Sequence, residues 1–145
     1  MKPFVLLSIA VLSFAMEMGK PPEGIVLQEE SGGKISGKPF SSSMLTEKAH
    51  LLFYVDPDEK ELNEHVSEAL KKERFERSRY ASVTVTNMAA TRLPNFAIAP
   101  KRKEKQEEYP DTLYVKELQS VLVKKRDLED DSSNVLLFGL SLIHI

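Results

Sequence analysis

Two short stretches of the chain carry residue types that can hold ions or move protons. Asp56-Pro57-Asp58-Glu59, with Glu61 just beyond, follows one apolar run, and Asp130-Asp131-Ser132-Ser133 precedes another. Carboxylates on a turn can converge on calcium or magnesium, and a serine beside a base can act as a nucleophile. Neither pattern is complete. The glycine and terminal glutamate of an EF-hand loop are missing, and no Gly-x-Ser-x-Gly elbow is present. Helix capping accounts for Asp56 and Glu59 without a metal, and a turn or cap role accounts for Ser132 and Ser133. No catalytic residue, metal ligand or cofactor is therefore assigned. The chain has no cysteine, which excludes thiol-disulfide exchange and thiol peroxidase chemistry.

The remaining candidates read as ordinary structure. His50 stands just ahead of an apolar run and His65 beside Val66, with no His-Glu-x-x-His or Cys-His spacing for zinc. Lys101-Arg102-Lys103 and Lys105 are interleaved with Glu104, Glu107 and Glu108, and pairs such as Lys103 with Glu107 describe a solvated helix. With 20 basic and 22 acidic residues and a formal charge of −2, the chain is not expected to bind nucleic acid.

Both termini are set aside before the fold is read. Lys2, the apolar run Phe4 to Leu12, and small residues at Ser13 and Ala15 make a secretory signal, with cleavage expected after Ala15. The run is too short to span a bilayer as a helix, and without cysteine no lipoprotein anchor can form. The expected location is the periplasm, with no stable membrane insertion after cleavage. The last six residues, Leu140 to Ile145, translate the transposase recognition end used in sequencing-library preparation, and are expected to be adapter read-through. Residues 16–139 suffice for one domain and not for two.

Strand and helix signals alternate through that segment. A Gly-, Pro- and Ser-rich region at 19–43 contains a strand-like piece at 24–28, expected to form a loose hairpin with 34–36 across the Ser31-Gly32-Gly33 turn. Leu51 to Val55 is continuously apolar, as in a central strand covered on both faces. Asp56 as N-cap, Pro57 at the first helical position and Glu59 as capping-box partner predict a helix over 58–75. Its stripe of Leu62, Val66, Ala69 and Leu70 should bury on the sheet. Tyr80 to Met88 reads as a strand, 101–109 as a charged helix stopped by Pro110, 112–115 with 121–125 as a hairpin, and 134–138 as a last strand. Two strands joined by one long helix imply a parallel crossover, hence an α/β fold with a mixed sheet.

From Gly19 to Phe138 the chain resembles the YtfJ family of exported proteins of Gram-negative bacteria. The matching features are Pro21-Pro22 with Gly24, the strand Leu51 to Val55, and Arg79-Tyr80 leading into a strand that ends at Asn87. Tyr109-Pro110 and Leu128 followed by Asp130-Asp131-Ser132-Ser133 and an apolar strand complete the set. The resemblance implies a thioredoxin-like fold: a mixed central sheet with flanking helices. It also implies a further strand and helix beyond Phe138, whose loss would leave Val135, Leu137 and Phe138 with fewer partners and the chain poorly folded. Open sheets bind ligands at the carboxyl ends of their strands. By that analogy the ligand-contacting residues are Asp56, Asp58, Glu59, Asp130, Asp131, Ser132 and Ser133, and the partner a periplasmic protein or peptide. A metal- or carboxylate-dependent enzyme at the same turns is the alternative.

Overall fold

The computed structural model describes residues 24–129 and 132–139. The expected signal segment with the residues up to 23, Asp130 and Asp131, and the terminal hexapeptide lie outside the described residues. Among the described residues seven strands and three α-helices are formed: β1 Val26–Leu27, β2 Gly32–Lys34, β3 Phe40–Ser41, β4 Ala49–Val55, α1 Glu64–Glu73, β5 Tyr80–Asn87, α2 Asn95–Glu108, β6 Thr112–Glu117, α3 Val121–Arg126 and β7 Ser133–Phe138. Five of the strands form one sheet in the order β2-β6-β5-β4-β7. Within it β4–β5 and β5–β6 run parallel, while β2 on β6 and β7 on β4 run antiparallel. The expected parallel pairing and mixed sheet are both present.

The pleat explains where the core lies. Side chains alternate across a strand, so the register places Leu52 and Tyr54 beside Val83, Val85 and Leu136 on one face, with Val115 next in line. That face is sealed by Ile25, Leu27 and Phe40 from the amino-terminal segment and by Leu122 of α3, all buried. Each such side chain contributes roughly 1.5 to 3 kcal/mol of burial energy. The opposite face carries Phe53 of β4, then Ser82, Thr84 and Thr86 of β5, then Thr112 of β6. Leu52, Phe53 and Tyr54 are buried in succession, which is why the β4 sequence shows no polar alternation.

Four expected elements differ. Gly32-Gly33 is not a turn but the start of edge strand β2, where Gly32 at φ 122° passes so close to Lys116 O that a Cβ would collide with it. The hairpin partner of β1 is instead β3. The segment 121–125 forms helix α3 rather than a second hairpin arm, because β6 is occupied by β5 on one side and β2 on the other. Helix α2 begins at Asn95, six residues before the expected start, and carries Pro100 inside it.

The helix expected over 58–75 is the largest correction. Pro57–Glu59 is a 3₁₀ turn, and α1 starts only at Glu64. Asp56 N–H is held by Ser132 O at 3.0 Å and the Asn63 side-chain amide by Ser133 O, so both ends of 56–63 are tied to β7 and the segment follows a loop. No residue of α1 is buried. Leu62 is 52% exposed and Ala69 exposed, while Val66 and Leu70 are half-buried. At the other edge of the sheet Leu137 is 72% exposed, while Val135 and Phe138 are half-buried.

Candidate functional site

The carboxyl end of β4 turns sharply at Asp56, which is buried at 4% exposure. Its Oδ1 accepts the N–H of Asp58 at 2.8 Å, and its carbonyl accepts the N–H of Glu59 at 3.0 Å. The Asp56 N–H donates to Ser132 O at 3.0 Å, so the first acidic turn and the start of β7 are joined backbone to backbone. One residue earlier, Val55 pairs with Ser133 in the β4–β7 register. The structure thus brings Asp56, Asp58, Ser132 and Ser133 to one corner. Glu59 is half-buried beside them. Asp130 and Asp131 lie outside the described residues.

Two further residues complete the network. The Thr91 hydroxyl donates to Asp58 Oδ1 at 3.2 Å and accepts the Leu93 N–H at 3.1 Å, drawing the loop after β5 against the acidic turn. Asn63 bridges to Ser133 O. Ser133 Oγ is buried without a hydrogen-bond partner among the described residues. Three apolar side chains on the segments that follow β4 and β5 are exposed: Leu62 at 52%, Leu93 at 51% and Phe96 at 80%. Thr91, Asn63 and this rim were not legible in the sequence. Their roles come from two loops meeting across the strand ends, and no local spacing encodes that.

A second polar cluster lies on the core face at the ends of the same strands. Glu117 is fully buried, Asn87 is 2% exposed and Tyr54 1%. Glu117 Oε1 accepts the N–H groups of Val121 and Leu122, the latter at 3.2 Å, so this carboxylate caps α3 from the end of β6. Asn87 Oδ1 accepts the Ala89 N–H at 3.1 Å and faces the Ser120 hydroxyl at 3.4 Å. Burial pushes the Glu117 carboxyl above the ordinary glutamate range, while the Tyr54 hydroxyl, the Leu122 N–H and the charge of Lys124 act the other way. The one sequence signal was a glutamate four residues before the first residue of a helix.

His50 lies toward the amino end of β4, at the far end of the strand from Asp56, and is buried at 6% exposure. His65 is on α1 and exposed. Lys103 and Glu107 form the expected pair at 4.0 Å, both well exposed. Arg102 between its lysine neighbours is the exception, buried at 7% exposure. Among the described residues no group of three or more His, Cys, Asp or Glu side chains is placed to hold a metal ion. The corner can therefore donate and accept hydrogen bonds and offer apolar contact, and it has no cysteine for thiol-disulfide exchange.

No protein-family model matches the chain, and no curated protein matches it either. Solved structures do. A domain of a possible thiol-disulfide isomerase from Cytophaga hutchinsonii superposes with a TM-score of 0.56 at 10% identity, covering 86% of this chain and 79% of that one. The fold is thioredoxin-like. The exposed lipoprotein thioredoxin of Streptococcus pneumoniae strain TIGR4 gives 0.55 at 11% identity, covering 81% and 82%. An uncharacterized conserved protein from Geobacillus kaustophilus gives 0.53 at 12%, covering 85% and 71%. These thioredoxin-like neighbours share architecture at identities that carry no activity across. This thioredoxin-like chain contains no cysteine at any position.

Proposed function

We propose that this protein is an exported, thiol-free accessory protein of the YtfJ type that docks an apolar polypeptide segment on the corner between the Asp56–Glu59 turn and the Thr91 loop. The observation that carries the reading is the rim of Leu62, Leu93 and Phe96, exposed beside a corner that hydrogen bonds hold in place. Apolar side chains grouped beside pinned polar groups are the composition of a protein-binding surface. The Asp58–Thr91 bond fixes the two loops relative to each other, so little ordering remains to oppose binding. Export rests on Lys2, the Phe4 to Leu12 run and the small residues before Met16. An exposed lipoprotein among the thioredoxin-like neighbours accords with that location.

The test is a screen of short extended peptides against the native chain and a Leu93→Ser/Phe96→Ser double variant. Peptides with apolar side chains should be retained by the native chain and released by the variant, with melting temperature unchanged. Equal retention by both would refute the docking site. Protein recovered from the periplasm should begin at Met16, and recovery of Met1 from the cytosol would refute export.

A further inference from the structure

We infer that the amino end of α2 is a binding site for a small oxyanion, held by Arg102, Asn95 and the first backbone N–H groups of the helix. Helix α2 runs 14 residues from Asn95, with no side-chain cap and no acidic residue in its first turn. Of the first-turn N–H groups, that of Ala97 is taken by Pro94 O. Those of Asn95 and Phe96 have no acceptor within the helix, as at any helix start. The helix dipole makes such an end favourable for negative charge.

Arg102 gives the second, independent observation. It lies two turns into the helix, yet its guanidinium reaches back to the helix start, where Nη2 donates to Asn95 Oδ1. The side chain is 7% exposed, and Nε and Nη1 have no hydrogen-bond partner among the described residues. None of the ion pairs among those residues includes it. A buried cation with only a neutral amide for company is costly to desolvate unless an anion joins it. Burial also weakens its hold on the proton, in the direction expected of a site lacking its counter-charge.

An oxyanion fits what is missing. It would accept from the unpartnered guanidinium donors and from the N–H groups of Asn95 and Phe96, as charge-assisted bonds of the strong kind. Asn95 is itself exposed, so its side chain can turn away from Nη2 and leave that donor to an anion without moving the helix. Arg92, exposed on the preceding loop, adds positive charge on the approach.

The experiment is a titration of the full chain with inorganic phosphate at constant ionic strength, read from backbone amide chemical shifts. Saturable shifts are expected at Asn95 and Phe96. Arg102→Met should weaken the affinity by roughly tenfold or more, the scale of one lost charge-assisted hydrogen bond. Asn95→Asp, which supplies an internal carboxylate to the same guanidinium, should raise the melting temperature and abolish phosphate binding. The aspartate variant decides the matter if the methionine variant does not fold. Absence of saturable shifts, or undiminished phosphate affinity in Asn95→Asp, would overturn the site. Leu93→Ser alone, which alters the apolar rim but no residue of the anion site, should still bind phosphate, which separates this result from peptide docking.

Discussion

Glu117 Oε1 accepts the Leu122 N–H at 3.2 Å from a carboxylate with no exposure to solvent. The bond fastens α3 to the end of β6, and the same burial raises the carboxyl's affinity for a proton. A folded-state pKa above the unfolded value means that the folded protein binds the proton more tightly. Stability from this group is complete below the ordinary glutamate range and is lost as pH rises through the raised folded value. Glu117→Gln keeps an acceptor for Val121 and Leu122 and removes the charge. The variant should be more stable than the native chain at neutral pH, with the gap closing as pH falls. Glu117→Ala leaves both N–H groups without an acceptor and should cost at least about 2 kcal/mol. Denaturant titrations over a pH series check both.

His50 works in the opposite direction. Burial is the main cause of its lowered pKa, aided by the charge of Lys48 and opposed by a backbone hydrogen bond with that residue. The folded state therefore favours the neutral imidazole, so its contribution is present above the unfolded pKa near 6.5 and is lost as pH falls through the folded value. His50→Leu should flatten the acid limb of the stability curve below that range. An unchanged acid limb would show that other groups set it.

Asn63 ties the loop before α1 to Ser133 O at the start of β7. Asn63→Ala should lower stability by about 1 kcal/mol, the net value of one partly buried hydrogen bond. It should also speed amide exchange of Asp56, whose N–H bond to Ser132 O lies in the same corner. Exchange measured residue by residue would separate this local loosening from global unfolding.

Arg74 closes α1 in the left-handed conformation at φ 51°, its N–H on Leu70 O. Glycine adopts that conformation without a Cβ penalty, so Arg74→Gly should stabilise the fold by about 0.5 to 1 kcal/mol. A loss of stability measured by chemical denaturation would show that the arginine side chain contributes more than its backbone strain costs.

Strand β7 contains no charged residue or proline, and Leu137 on it is 72% exposed. It is the edge of the sheet opposite β2, and edge strands without charge or bulge pair readily with other chains. Leu137→Lys should reduce light scattering at high protein concentration without lowering the melting temperature. Scattering equal to the native chain's would place self-association elsewhere.

What the sequence determined by itself was chemistry and the strongest local patterns. The lack of cysteine excluded thiol chemistry outright, because no tertiary arrangement can supply a missing thiol. The apolar run at Leu51 to Val55 and the alternation from Tyr80 onward were legible as strands because each carries its packing environment in its own composition, and β5 pairs in parallel with β4 along the whole of β4. Asp56 was legible as a cap, and its side chain does accept the Asp58 N–H. Tertiary structure decided the rest. The 58–75 periodicity promised one long buried helix, yet ties from Asp56 and Asn63 to β7 delayed the helix and left Leu62 in solvent. Gly32-Gly33 reads as a turn in isolation and becomes a strand only because Lys116 approaches it. Residues 121–125 carry strand-forming valines but coil into α3, because both sides of β6 are already paired and Glu117 caps the helix. The Thr91–Asp58 contact and the burial of Arg102 among exposed lysines arise from segments far apart in the chain or from a helix turned onto the sheet. Local spacing records neither, because both depend on which surfaces meet.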